Sequence, residues 1–274
     1  MSDFAAFGEM ERSGWSDPKR AMGYVKLFAS ASDQAIGSLL DAVGARPSQK
    51  ALDLCCGHGN VSEALISRGC HVVGVDFSAA MLSLARERVP AATLMEADAQ
   101  HLPFGDAEFD IVVSNFGMLH IPDQPRALSE VRRVLRPGGR FAMTVWCGPD
   151  VSPCFAALYQ VVRAHGDPGI SPPPGPDMHQ FANRNVAAQL LSEAGFNYLG
   201  STTVDCAWVL DRAEDLSEIF EQATVRAAKI LGSQPAPNLC AIRSALADLV
   251  RERFGSGRYW HVPIPAALTR ATPL

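Results

Sequence analysis

Nowhere in this chain do 18 apolar residues follow one another, so a membrane-spanning helix is not expected. The first residues, Met1-Ser2-Asp3-Phe4, lack the basic stretch and apolar core of a secretory leader. An excess of basic charge is missing too. A net charge of −5 and a pI near 5.8 argue against nucleic acid as a partner, because neutralising phosphates needs a cationic face. The seven cysteines, Cys55, Cys56, Cys70, Cys147, Cys154, Cys206 and Cys240, are odd in number and show no C-x-x-C spacing. They predict neither a disulfide framework nor a zinc knuckle and fit a reducing cytoplasm. No His/Asp cluster has metal-ligand spacing, so no metal site is expected. Internal repeats and low-complexity tracts are lacking as well.

What is present is a chain of 274 residues, 47% of them hydrophobic, enough to bury a full core. Its organising stretch is Leu52-Asp53-Leu54-Cys55-Cys56-Gly57-His58-Gly59-Asn60. The apolar run Ala51 to Leu54 reads as a buried strand. Val61, Ala64 and Leu65 have the spacing of a helix face. Gly57 and Gly59 lie between, where backbone angles closed to other residues and the lack of a Cβ let a ligand approach the main chain. Asn60, with Glu63 three positions on, is the expected N-cap, which turns the helix's positive end toward the loop.

A second strand, Val72-Val73-Gly74-Val75-Asp76, ends in an acid about 20 residues beyond the loop, where a doubly wound sheet sets a carboxylate against ribose hydroxyls. A nicotinamide-binding reading would need a third glycine at position 62, which is Ser62. The stretch instead resembles motif I, D-x-G-x-G-x-G, of class I S-adenosylmethionine-dependent methyltransferases, with Asp53, Gly57 and Gly59 in register and Cys55 in the place of the first glycine. Ala97-Asp98-Ala99-Gln100-His101-Leu102-Pro103-Phe104 is similar to the family's second motif, and the later run Leu135-Arg136-Pro137-Gly138-Gly139-Arg140 resembles the family closely. Agreement spans about 50 to 147. Trp15 followed by Tyr24 resembles the ubiquinone- and menaquinone-biosynthesis methyltransferases within that family.

The resemblance implies a Rossmann-like α/β fold, a doubly wound seven-stranded sheet in the order 3-2-1-4-5-7-6 with the last strand antiparallel and a helical cap inserted. Residues 1–47 would form an N-terminal helical lid, 48–210 the cofactor-binding core, 211–257 the cap and 258–274 the final core strand. It implies S-adenosyl-L-methionine as cofactor, S-adenosyl-L-homocysteine as product, and a small-molecule acceptor methylated at O, N or C by a monomer or homodimer. Asp53 would orient the methionine ammonium, directly or through water, Asp76 and Phe77 the ribose side, and Asp98 and Ala99 the adenine edge. Met81 would rest against the adenine; Cys55, Gly57, Gly59, Asn115 and Phe116 would border the cofactor. Trp15 and Tyr24 would face the acceptor. His120, after the strand Phe109 to Asn115, is the leading candidate for a general base, with a bond to the loop backbone as its plainer role; His58 is a poor second, because its place in the glycine loop favours a backbone role. A cofactor-binding protein without methyl transfer remains the alternative, since fold does not fix reaction.

Two further helices are expected between a sixth and a seventh strand. One starts at Asp211 with Glu214 as a capping pair, the other is capped by Asn238. Gly255-Ser256-Gly257 should turn the chain into the last strand. Pro263 and Pro265 cannot donate to a ladder, so pairing should begin near Ala266.

Overall fold

A computed structural model describes residues 4–255 and 258–274. Met1, Ser2, Asp3, Ser256 and Gly257, on which parts of the terminus and turn readings fall, lie outside the described residues. Nine strands occur among the described residues: β1 Lys50–Leu54, β2 His71–Asp76, β3 Thr93–Glu96, β4 Phe109–Asn115, β5 Leu135–Trp146, β6 Phe196–Val204, β7 Ala207–Leu210, β8 Trp260–Pro263 and β9 Ala266–Pro273. Seven of them form one sheet in the order β3-β2-β1-β4-β5-β9-β6. Its first five strands run parallel, and β9 enters antiparallel between β5 and β6. This is the expected order, with β9 as the seventh strand of the sheet.

Side chains alternate across each strand, so both faces must be covered. From β4, Ile111 and Val113 join Leu39, Leu40, Val61 and Leu65 on one face. Val112, with Leu52 and Leu54 from β1, joins Leu128, Val131, Phe141 and Leu191 on the other. The order reverses at β1, whose neighbours are β2 and β4. Crevices open at such a switch point, beyond the strands' C-terminal ends.

Several local readings need correction. The helix after β1 runs Asn60–Ser67, and its N-cap is Gly59 at φ +84°, not Asn60. The Asn60 amide donates instead to Asp33, which draws it away from the cap. Gly59 is required on packing grounds as well, since a Cβ there would lie 2.9 Å from Val89 Cγ2. The first cap helix is Asp215–Ala223; Asp211 does not start it, and Asp215 accepts from the Arg212 backbone N–H. The second is Ala236–Arg253, begun by prolines before Asn238, whose amide donates to the His165 carbonyl. An unexpected helix, Arg226–Gly232, lies between them.

Pairing into the main sheet does begin at Ala266. Upstream, β7 and β8 form a separate antiparallel ribbon that the sequence reading lacked. Trp208 and Val262 of this ribbon share a core with Phe155, Phe220, Ile242 and Leu246, and so join the ribbon to the cap helices.

Candidate active site

Two cavities meet above the C-terminal ends of β1, β2 and β4. The larger, about 540 Å³, is lined mostly by aromatic and aliphatic side chains, among them Trp15, Tyr24, Phe28, Phe116, Trp146, Phe155 and Phe220. The smaller, about 400 Å³, is bounded by Asp98, Ala99, Gln100, Arg12 and Pro122. Cys55, Asp76, Phe77 and His120 belong to the walls of both and mark their junction.

The loop after β1 is shaped by its left-handed residues. Gly57 has φ +54°, and a Cβ on it would meet nothing within 4 Å, so this part of the backbone is bare toward the larger cavity. Cys55 adopts φ +60° although it is not glycine, at a cost of about 1–2 kcal/mol. Asp76 closes the loop from the next strand. Its Oδ2 accepts from Gly57 N at 2.9 Å and its Oδ1 from Ser78 N at 2.8 Å. Burial nevertheless raises its pKa, against those backbone donors. Ser78 caps helix Ala79–Arg88 through Met81 N and donates to the Trp15 carbonyl, which ties the N-terminal helix to the site.

Not every expected residue reaches a cavity wall. Cys55, Gly57, Asp76, Phe77, Met81, Asn115, Phe116, His120, Trp15 and Tyr24 line the larger cavity, and Asp98 and Ala99 the smaller. Asp53 and Gly59 line neither. Asp53 is buried behind the loop, where its Oδ2 accepts from Ser62 Oγ at 2.7 Å, and burial lifts its pKa to about 7. Its carboxylate is thereby tied to helix Asn60–Ser67, behind the glycine loop. Asn115 is held by Thr144 Oγ1, which donates to its Oδ1, and by its own amide bond to the Ser32 carbonyl. Phe116 stacks on Trp146 with ring centroids 3.7 Å apart and floors the larger cavity.

His120 sits at the end of the short turn Met118–His120. Its Nδ1 is 2.8 Å from Glu11 Oε2 on helix Ala5–Trp15, a residue only 1% exposed. Burial pushes the Glu11 pKa up, but the charges and hydrogen bonds of His120 and Arg226 outweigh it and hold the carboxyl below its ordinary range. The carboxylate can only accept, so His120 Nδ1 carries a proton, and when the ring is neutral its lone pair falls on Nε2. Trp15 Nε1 donates to the same Glu11 oxygen at 3.1 Å, and Arg226 Nε to the other at 3.0 Å. Arg226 also bonds the Leu119 and Pro176 carbonyls, so one cap side chain grips three segments around His120.

Sequence reasoning missed Glu11 and Arg226. A signal for Glu11 existed: Phe7, Glu11 and Trp15 recur every four residues and are buried on one helix face, and an acid inside an apolar stripe needs a partner. His58 is 3% exposed, with Nε2 lacking a hydrogen-bond partner among the described residues and its pKa lowered to about 4 by burial. An uncharged imidazole with an open nitrogen suits hydrogen bonding to a ligand better than proton transfer near neutral pH. Among the described residues no group of three or more His, Cys, Asp or Glu is placed to hold a metal ion. No helix among them is long and apolar enough to cross a membrane.

A family profile described as a methyltransferase domain matches residues 52–143. The demethylmenaquinone methyltransferase of Beutenbergia cavernae is 42% identical over 120 residues, covering 44% of this chain and 50% of that one. Its counterpart in Staphylococcus aureus (strain MRSA252) is 32% identical over 207 residues, 72% of this chain and 77% of the relative. The matched stretch thus spans half the length of the first relative and over three quarters of the second. A phosphoethanolamine N-methyltransferase from Haemonchus contortus, solved with phosphomonomethylethanolamine and S-adenosylhomocysteine, shares the fold. It has a TM-score of 0.59 at 17% identity, over 98% of this chain and 60% of that one.

Proposed function

Because the chain belongs to the class I S-adenosylmethionine-dependent methyltransferases of the quinone-biosynthesis type, we propose that it methylates an apolar small molecule held in the larger cavity. The single observation that carries this is the junction: a smaller chamber bearing Arg12, Asp98 and Gln100 and a larger, mostly apolar chamber share the wall of Cys55, Asp76, Phe77 and His120.

The residues fit the cofactor. Asp98 and Ala99 would receive the adenine, a donor and acceptor edge in a small chamber. Asp76 spends one lone pair of each oxygen on the loop and keeps others for ribose hydroxyls. The bare face of Gly57 and the open His58 nitrogen would take the amino-acid end. Asp53 and Asp76 supply negative potential beneath a cationic ligand. S-adenosylmethionine, when bound, supplies an electrophilic methyl on a sulfonium, already a good leaving group. The protein's task is then alignment and exclusion of water, which stacked Phe116 and Trp146 and the cap aromatics provide.

His120 is the catalytic candidate. With Nδ1–H bound to Glu11, Nε2 is the atom that would take a proton from an acceptor hydroxyl, amine or activated carbon. The acceptor class follows from the lining. Quinone precursors, phenols and polyketide-like compounds suit it, and the names of the matching relatives favour the first.

Calorimetry with S-adenosylmethionine, S-adenosylhomocysteine and NAD, followed by transfer of tritiated methyl to those three compound classes, tests the reading. Binding of the first two ligands without NAD, and label in an extractable apolar product, is the expected result. Binding with no label in any class would leave a silent cofactor-binding protein and remove the enzyme.

A further inference from the structure

At the cap side of the larger cavity a second histidine is paired with a phenol. Tyr159, on helix Pro153–His165, lines the cavity, and its hydroxyl lies 2.8 Å from His179 Nε2. His179 itself does not line the cavity. Its Nδ1 is 3.0 Å from the Trp146 carbonyl oxygen, and Phe155 packs edge-on against its ring with centroids 4.8 Å apart.

The direction of every proton in this chain follows from chemistry. A backbone carbonyl can only accept, so His179 Nδ1 must donate to it. Burial lowers the His179 pKa, which keeps the ring neutral near pH 7 and leaves Nε2 as an acceptor. The Tyr159 hydroxyl must therefore donate to His179. A weaker contact to Met178 Sδ at 3.6 Å also uses the donor side of that hydroxyl. Burial pushes the Tyr159 pKa up to about 12, so the phenol keeps its proton. Nothing but oxygen lone pairs then remains for a neighbour in the cavity.

We propose that Tyr159 is a specificity-determining residue that selects acceptors by hydrogen-bond polarity. Committed as a donor to His179, it accepts a hydrogen bond from the bound molecule, and so takes an apolar compound that carries a second hydroxyl or N–H. A compound with only an ether or carbonyl at that place would set lone pair against lone pair. Apolar residues such as Phe155, Leu158, Val162 and Leu231 line the same cavity, so the mismatch would be poorly relieved by water. The proposal rests on the reading of the larger cavity as the acceptor chamber.

The test uses three probes, 1,5-dihydroxynaphthalene, 5-methoxy-1-naphthol and 1-naphthol, titrated calorimetrically with and without S-adenosylhomocysteine. The dihydroxy probe should bind the native protein about tenfold or more tightly than the methoxy probe, since a site built to receive a hydroxyl proton rejects an analogue without one. Tyr159→Phe should bring the ratio to within about threefold. His179→Leu releases the Tyr159 proton toward the cavity, so the methoxy probe should gain affinity. Circular dichroism establishes that each variant is folded. A ratio near one in the native protein, a ratio that survives Tyr159→Phe, or no affinity for any probe would overturn the proposal. Loss of S-adenosylhomocysteine binding with the probe ratio intact would count against the methyltransferase reading alone.

Discussion

Glu11 Oε2 and His120 Nδ1 stand 2.8 Å apart although 109 positions separate them in the chain. The pair joins the N-terminal helix to the turn after β4, and Arg226 from the cap completes it. Glu11→Gln keeps the size of the side chain but offers an amide that can donate to the ring, which would move the imidazole proton to Nε2. We expect kcat to fall roughly 100-fold, within the range for loss of a general base, with KM for S-adenosylmethionine changed by no more than about threefold. Glu11→Asp should recover part of the loss. A kcat that Glu11→Gln leaves unchanged would remove Glu11 as a positioning residue.

The contrast between that pair and the glycine loop explains what could be read from the chain. The β1 to β5 half was legible because each strand, turn and helix in it has its own local signal, down to Asp76 and Asp98 at predictable distances from the glycines. Contacts made across the chain carry no such signal. Glu11 needs His120 and Arg226 to make sense of it, and the ribbon pairs Trp208 with Val262 across the whole cap. Asn60 was misread for a related reason. Its residue type suits a cap, but Asp33, from a segment before β1, competes for its amide, and Gly59 takes the left-handed angle.

Asp76 anchors both the loop and the expected ribose contact. Asp76→Ala should weaken binding of S-adenosylmethionine and S-adenosylhomocysteine more than tenfold, the order expected for a lost charge-assisted hydrogen bond. Calorimetry on folded protein decides it. Unchanged affinity would mean that the ribose lies elsewhere.

Asp53 carries a pH signature. Its folded pKa of about 7 lies above the unfolded value near 3.9, so the folded state holds the extra proton. Stability from this group is full below about pH 4, declines as pH rises, and is gone above about pH 7. Asp53→Asn should therefore melt higher than the native protein at pH 8 and show a flatter melting curve against pH. Affinity for cationic S-adenosylmethionine should run the opposite way, rising in the native protein as Asp53 ionises through about pH 7. The variant should lose that rise. Native affinity that stays level between pH 6 and pH 8 would show that Asp53 is not felt by the ligand.

Cys55 and Gly117 have the sharpest packing dependence at the junction. A Cβ added to Gly117 would collide with Cys55 Cβ and lie 2.7 Å from Ser114 Oγ. Gly117→Ala should therefore cost about 1–3 kcal/mol, as overpacking of a buried site does, and disturb the turn that carries His120. Cys55→Gly removes the nearer obstacle. It also exchanges left-handed strain at φ +60° for the chain entropy of a glycine, so alone it should change stability by less than about 1 kcal/mol. Combined, the two should be non-additive by at least about 1 kcal/mol, because the alanine methyl gains the space the thiol side chain leaves. Urea midpoints at constant slope measure this cycle. Simple additivity would mean that Ser114, not Cys55, sets the limit at position 117, and that a cysteine in this loop does not dictate the glycine opposite it.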